Sequence, residues 1–276
     1  MINLLKANFY KMKKSKAIWI AALLSAIVAV YYIKDNYNIY HDSLEFVNIN
    51  SMIFNYLPVF GIIVSILIST ILGFDYSYGT TKNKIIAGHS RINIYLSNLF
   101  SIYIVNLLVY SVYFFIICIS GIVLFKNLTF NLEFIINILI ILLIILSYVS
   151  ISTFIVMIIS NEIVSPVINV INAFFLILIS FILLSALSEL KYIHSDDGYY
   201  FNDEGQKVVD TANSMYIKGI KRDIYKLTVN ILPTGEAFQK SRAMNTKSSI
   251  IIFFSSSLII VVNALGVYLF KNKELN

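Results

Sequence analysis

Residues 134–161 read FIINILIILLIILSYVSISTFIVMIISN and contain no Asp, Glu, Lys or Arg. A helix needs about 20 mainly apolar residues to cross the hydrocarbon core of a bilayer, so this run is long enough. In hydrocarbon each backbone N–H and C=O must find a partner inside the protein, which leaves helices and closed barrels. The run does not alternate apolar and polar positions as a barrel strand does, so it reads as a helix. Five further stretches share these properties: 17–33, 46–74, 92–125, 163–188 and 248–270. The expected fold is an all-α integral membrane protein with six transmembrane helices.

Several runs exceed one span, and their polar residues trim them. Asn48, Asn50 and Ser51 move the start of the second helix to about 53, giving 53–74. Run 92–125 starts with turns outside the membrane and enters it near Asn98, giving 98–125. The fourth span is 134–159, and Pro166 falls near the start of the fifth, 163–188. The layout is then an N-terminal part, 1–188, with an interfacial helix, five spans and a loop at 75–91. A loop subdomain at 189–247, the sixth span at 248–270 and a tail at 271–276 complete it.

Composition agrees. The chain has 276 residues, 58% hydrophobic and 13% charged, where a soluble domain carries about 25% charged residues. Mean hydropathy is +0.80. Abundant Ile, Asn, Lys, Tyr and Phe point to an AT-rich bacterial genome, hence to a bacterial plasma membrane. The net charge of +6 fits cationic segments beside anionic lipid rather than a nucleic-acid partner.

Orientation follows from Lys and Arg, which stay on the cytoplasmic side. Lys6, Lys11, Lys13, Lys14 and Lys16 precede the first span; Lys82, Lys84 and Arg91 occupy loop 75–91; Lys271 and Lys273 follow the last span. The short loops on the other side hold only Lys34 and Lys126. Both termini are expected in the cytoplasm and loop 189–247 outside. A cleaved signal peptide is disfavoured, because no clear small-x-small site follows the first span.

Residues 2–14 form an amphipathic pattern, with Ile2, Leu5, Phe9 and Met12 at helical spacing. This is either a helix in the membrane interface that touches a partner or an orientation signal with little structure. In loop 189–247, segments 199–201 and 206–209 around Asn202–Gly205 read as a hairpin. Ile217, Ile220, Ile224, Leu227 and Ile231 then trace one apolar stripe on a helix that ends at Pro233. That helix either lies on the outer membrane surface, or over the exit of a pathway, or packs on its own hairpin. Leu232–Pro233–Thr234–Gly235 imitates a cell-wall sorting signal without its central residue and reads as a turn.

Several chemistries are missing. No G-x-x-x-x-G-K-[ST] loop binds ATP here, and neither H-E-x-x-H nor G-x-S-x-G occurs. Cys118 stands alone, and His41, His89 and His194 lack ligand spacing, so no metal site and no catalytic residue are expected. The centres of the spans carry no charge, which disfavours a proton-driven carrier. Near span ends on the cytoplasmic side the acids are Asp75 and Glu162, with Glu274 in the tail. Polar residues inside the spans include Asn55, Asn169 and Asn172, candidates for a substrate pathway. For each the plainer reading is a hydrogen bond between helices, worth about 0.6 kcal/mol.

Loop 75–91 reads DYSYGTTKNKIIAGHSR. It resembles the first cytoplasmic loop of ABC-2 type permeases, the membrane subunits of bacterial ABC exporters. Asp75, Tyr76, Gly79, Thr80, Lys82, Asn83, Gly88, Ser90 and Arg91 match that family's pattern, with Asp75 where Glu is more usual. Gly79 and Gly88 bracket a short helix, 80–87, of a kind that docks in a groove on a soluble partner. Lys82, Lys84 and Arg91 could then meet acidic residues of an ATPase.

The resemblance implies an exporter subunit that is no enzyme itself and holds no cofactor. ATP and Mg belong to a separate ATPase, present in two copies, and the permease pairs with a second permease as a homo- or heterodimer. Loop 75–91 and the N-terminal helix, with Leu5, Phe9 and Met12, would transmit the ATPase movement. The second and fifth spans would line the pathway. Similar permeases move amphipathic peptides such as bacteriocins or lantibiotics; small drugs and sodium are alternatives. From another class, a non-transporting sensor or assembly protein would share the layout.

Overall fold

The computed structural model describes residues 1–43, 47–159, 161, 163–194, 200–202, 205–207, 210–244 and 246–273. Helices dominate. In chain order they are α1 (Ile2–Lys13), α2 (Lys16–Ser43), α3 (Ile49–Met52), α4 (Leu57–Ser77), α5 (Thr80–Ile86), α6 (Arg91–Val123), α7 (Leu132–Ile159), α8 (Val164–Ser188), α9 (Ile220–Ile231), α10 (Pro233–Ser241) and α11 (Ser248–Asn272). Among the described residues six segments are long and apolar enough to cross a membrane: Lys16–Asn38, Ile49–Tyr76, Arg91–Val123, Leu132–Ile159, Val164–Ser188 and Ser248–Asn272. The all-α membrane fold expected from the uncharged runs is the observed one.

Helix α7 sits in the middle, packed on α4, α6, α8 and α11, while α2 lies along α6 and α8 along α4. The central helices are buried and the peripheral ones present Ile, Leu and Phe outward, as a bundle solvated by lipid does. Gly61 of α4 lets the Tyr148 ring approach so closely that an added Cβ would stand 2.8 Å from it. Helix α6 has 33 residues, about 50 Å at the usual rise. The hydrocarbon core is about 30 Å thick, so part of α6 projects beyond it; residues 92–97 are among its opening turns. Those turns are continuous with the span rather than separate from it.

The second span differs from the expected 53–74. A single turn, α3, is followed by non-helical residues 53–56, and α4 starts at Leu57 with Pro58 in its first turn. Pro fits there because it lacks the N–H that a helix start leaves unpaired. The break frees carbonyls inside a buried region, and tyrosines reach them. Tyr113 donates its hydroxyl to Met52 O at 2.7 Å, Tyr110 to Ile53 O, and Tyr32 to Asn55 O at 3.2 Å. Tyr56 meets Ser25 Oγ at 3.0 Å. The sequence reading missed this set because the three donors come from two distant helices.

Between the fifth and sixth spans, β1 (Tyr192–His194) pairs antiparallel with β4 (Asp210–Ala212), and β2 (Tyr200–Asn202) with β3 (Gly205–Lys207). Tyr200 opposes Lys207 and Asn202 opposes Gly205, so a hairpin lies within the expected segments. Of that hairpin, residues 199, 203, 204, 208 and 209 lie outside the described residues, as do Glu162 and Glu274.

One expectation is corrected here. Leu232–Gly235 is not a turn: Pro233 opens α10, and Gly235 lies inside it with α9 so near that an added Cβ would stand 2.2 Å from Val229 O. Of the readings open for α9, packing on its own hairpin finds no support among the described residues: Ile220, Ile224, Leu227 and Ile231 are exposed, and Val229 is the helix's one buried residue.

Candidate functional site

Loop 75–91 becomes a corner built on Gly79. Its φ of 62° is left-handed, where a Cβ is unfavourable, and it turns the chain from α4 into α5. Gly88, at φ 84°, makes the second bend. Ser90 then caps α6, its hydroxyl accepting from Asn93 N at 3.3 Å. The bracketed helix expected at 80–87 is therefore present as Thr80–Ile86.

Asp75, in the last turn of α4, is 4% exposed. Lys11 of α1 approaches one carboxylate oxygen at 2.5 Å and Lys84 of α5 the other at 3.4 Å. Thr80 donates its hydroxyl to Asp75 Oδ1 at 2.8 Å. Three helices thus meet on one carboxylate, and the two opposite charges offset its desolvation. Lys11 also donates to Ile71 O at 2.7 Å.

Asn8 extends the network into the bundle. It accepts from Lys84 Nζ at 3.1 Å and donates to Asn98 Oδ1 at 3.0 Å and Ser101 Oγ at 3.3 Å. The inner face of α1 is therefore Leu4, Asn8 and Met12. This corrects the stripe read from sequence: Met12 is buried, Leu5 and Phe9 lie at its margin, and Ile2 faces outward at 69% exposure. The polar partner Asn98 on α6 rotates the helix toward Asn8, which hydropathy alone would put outside.

Lys84 and Arg91 are committed within the chain. Arg91 donates to the carbonyls of Lys271, at 3.1 Å, and Lys273, which fastens the C-terminal tail to the start of α6. Lys273 in turn donates to Met157 O at 3.5 Å and Ile158 O. Tyr76 reaches the same turn of α7, its hydroxyl donating to Met157 O at 3.3 Å. Lys82 and Asn83 instead face outward beside Tyr78 and Ile86, which are 75% and 83% exposed. Of the matched loop residues, Asp75, Tyr76 and Thr80 build the inner junction, while Lys82 and Asn83 form the free face.

The candidate pathway residues are not brought together. Asn169 is buried between α8 and α4, where it donates to Ser65 O at 3.1 Å and Ser69 Oγ at 3.0 Å. Asn172 is half-buried on the same helix, and Asn55 belongs to the break before α4, where its carbonyl serves Tyr32. Asn169 does the helix-to-helix bonding that the plainer reading assigns to such residues.

At the opposite end of the bundle, α10 inserts against α8, α4 and α7. Thr234 shares a 2.6 Å hydrogen bond with Ser180 and donates to Leu176 O at 2.8 Å. Glu236 is 1% exposed, and Ser255 of α11 donates to its Oε2 at 2.5 Å. Its Oε1 has no partner among the described residues. Burial pushes this carboxyl well above the usual carboxylate range, which favours the neutral form. Ser255 is about 10 Å along α11 from its start. Sequence reading missed Glu236 because it precedes the last uncharged run; the signal was one acid directly after Pro-Thr-Gly.

Among the described residues no cluster of His, Cys, Asp and Glu could hold a metal ion. The family model described as ABC-2 family transporter protein matches residues 4–182. No curated protein matches the chain.

Proposed function

Because this chain belongs to the ABC-2 transporter family, a family of membrane components of ABC transporters, we propose that it is the permease of an ATP-driven exporter of amphipathic peptides. The ATPase is a separate subunit, bound in two copies by a permease dimer in a bacterial plasma membrane. Both termini and α5 face the cytoplasm in this reading.

The observation that carries the proposal is the Asp75 junction. Helix α5 offers Tyr78, Lys82, Asn83 and Ile86 outward, a mixed apolar and basic face suited to a soluble partner. Its inner side is tied through Asp75 to α4 and α1 and through Asn8 to α6. A push on α5 then moves the ends of the second and third spans together with α1, instead of bending a loose loop. ATP and Mg supply the push on the partner; this chain conducts it. The peptide class rests on the apolar character of the spans, whose six uncharged runs suit an amphipathic cargo entering from lipid.

The test is reconstitution. An ATPase subunit should copurify with the chain, and an amphipathic peptide should stimulate its activity in proteoliposomes. Lys82→Glu should weaken the stimulated rate roughly tenfold, as reversal of a charge at an interface does. Gly79→Pro should uncouple it too, because Pro holds φ near −65° where the corner needs 62°. Both variants should keep the wild-type elution profile in detergent. A chain that purifies alone and stimulates no ATPase is a sensor or assembly protein instead.

A further inference from the structure

At the end of the bundle opposite α5, a cavity of about 640 Å³ lies between the end of α8, α9, α10 and the start of α11. Its walls mix two chemistries. Leu184, Leu187 and Ile250 come from the ends of the spanning helices, and Arg222, Lys226 and Lys247 bring three positive charges. Among the described residues no carboxylate lies within ion-pair distance of those three.

Arg222 is held in place. One terminal nitrogen donates to Leu187 O at 2.9 Å, and the guanidinium stacks 4.6 Å from the Tyr216 ring centre. The other terminal nitrogen, Nη1, is buried without a partner among the described residues. An ordered guanidinium with spare donors is a receptor for a phosphate or carboxylate oxygen. The polar residues below are already occupied: Gln239 donates to Asn230 Oδ1 at 3.0 Å and accepts from Thr246 at 2.6 Å. The unmet capacity of the cavity is therefore cationic.

Helix α9 adds the second half. Arg222 and Lys226 line the cavity, while Ile220, Ile224 and Leu227 are exposed at 78%, 54% and 49%. A helix with a free apolar stripe beside basic residues, at the end of two spans, is the pattern of a helix lying in the lipid interface. Charge above and apolar side chains below match one occupant, a lipid with an anionic head.

We infer that this cavity binds the phosphodiester headgroup of an anionic phospholipid, with Arg222, Lys226 and Lys247 on the phosphate and the acyl chains along α8, α11 and the α9 stripe. Such a lipid would fasten α9 and α10 to the ends of the fifth and sixth spans. Glu236 of α10, bonded to Ser255 of α11, lies on the other side of the same junction.

The test uses the full chain in nanodiscs of phosphatidylcholine alone or with phosphatidylglycerol. Lipids retained after mild detergent extraction are counted by native mass spectrometry. Phosphatidylglycerol should be retained in preference to phosphatidylcholine. Each cation near an anionic lipid surface is worth about 1 kcal/mol. Preference should therefore fall about fivefold in Lys226→Gln or Lys247→Gln and about 25-fold in the double variant. These lysines are exposed, so both variants should fold; the tethered Arg222 is left intact. Equal retention of the two lipids, or a double variant that retains phosphatidylglycerol like wild type, overturns the inference. So does loss of bound lipid to millimolar inorganic phosphate, which would make this a free-anion site. Displacement by an amphipathic peptide at equal concentration would assign the cavity to cargo and overturn it as well. The outcome is independent of ATPase copurification, so it stands or falls apart from the exporter reading.

Discussion

Asp75 and Glu236 are both buried acids of one chain, yet the protein treats them in opposite ways. Asp75 has two lysines and a threonine hydroxyl around it, drawn from α1 and α5. Glu236 has one serine hydroxyl and no cation within ion-pair distance among the described residues. Desolvation penalises a carboxylate at both places, so each site must lower that cost differently. At Asp75 it is offset by opposite charge, which binds three helices to one point. At Glu236 burial favours the neutral acid, and the carboxyl joins α10 to α11 by accepting a hydrogen bond from Ser255. An ion pair ties elements that move as a unit; a neutral carboxyl can be inserted into an apolar bundle without a partner charge.

The largest expected effect is at Asp75. Asp75→Asn removes the negative charge and leaves Lys11 and Lys84 facing each other. Breaking a buried pair costs about 3–5 kcal/mol. The side chain of Lys11 is 38% exposed and can turn to water, so roughly 3 kcal/mol is expected here. Thermal unfolding in detergent reads it as a lowered Tm. Adding Lys84→Met should recover part of the loss, because it removes one of the two stranded charges. A variant as stable as wild type would show that the lysines do not sense Asp75, and the comparison would break at its stronger end.

Next come the glycines that hold each acid in place. Gly235→Ala would put a Cβ 2.2 Å from Val229 O, a backbone atom that moves only with α9. Overpacking of this kind costs about 1–3 kcal/mol. Gly79→Ala meets no atom within 4 Å and is limited to the strain of a left-handed residue, about 1–2 kcal/mol. The first should loosen α9 and α10 while leaving ATPase stimulation in place. The second should do the reverse. Hydrogen exchange of α9 and α5, measured beside ATPase activity, separates them; exchange that rises in both helices for either variant would mean the two ends are not independent.

These two ends were not equally legible in the sequence. The six spans were, because a 20-residue uncharged run has few other fates. The α5 helix was, because Gly79 and Gly88 punctuate it. Asp75 was visible as a residue of the matched loop, but Lys11 stands 64 positions away and Asn8 90 from Asn98. No local pattern carries such contacts. The start of α4 was misplaced for the same reason, since Tyr110 and Tyr113 satisfy the break from another helix. At the far end, the α9 stripe was read at its true spacing, yet periodicity does not say whether a stripe faces protein or lipid. Pro233 was read for half of its role: it ends α9, and it also begins α10.

The smallest effect sharpens the comparison most. Glu236→Gln preserves shape and can still accept from Ser255, so it should cost little where the wild-type carboxyl is protonated and should leave copurification intact. Because burial raises the folded-state pKa of Glu236, the folded protein holds its proton more tightly than the unfolded chain. Its stability contribution is full below the unfolded value of about 4.5 and declines as pH rises through the higher folded value. Wild-type Tm should therefore fall across that window, and Glu236→Gln should remove that part of the slope while leaving the rest. The Gln variant should equal wild type at low pH and exceed it at higher pH. A slope unchanged by Glu236→Gln would mean that Glu236 does not hold its proton in the fold, and that the two acids are managed alike after all.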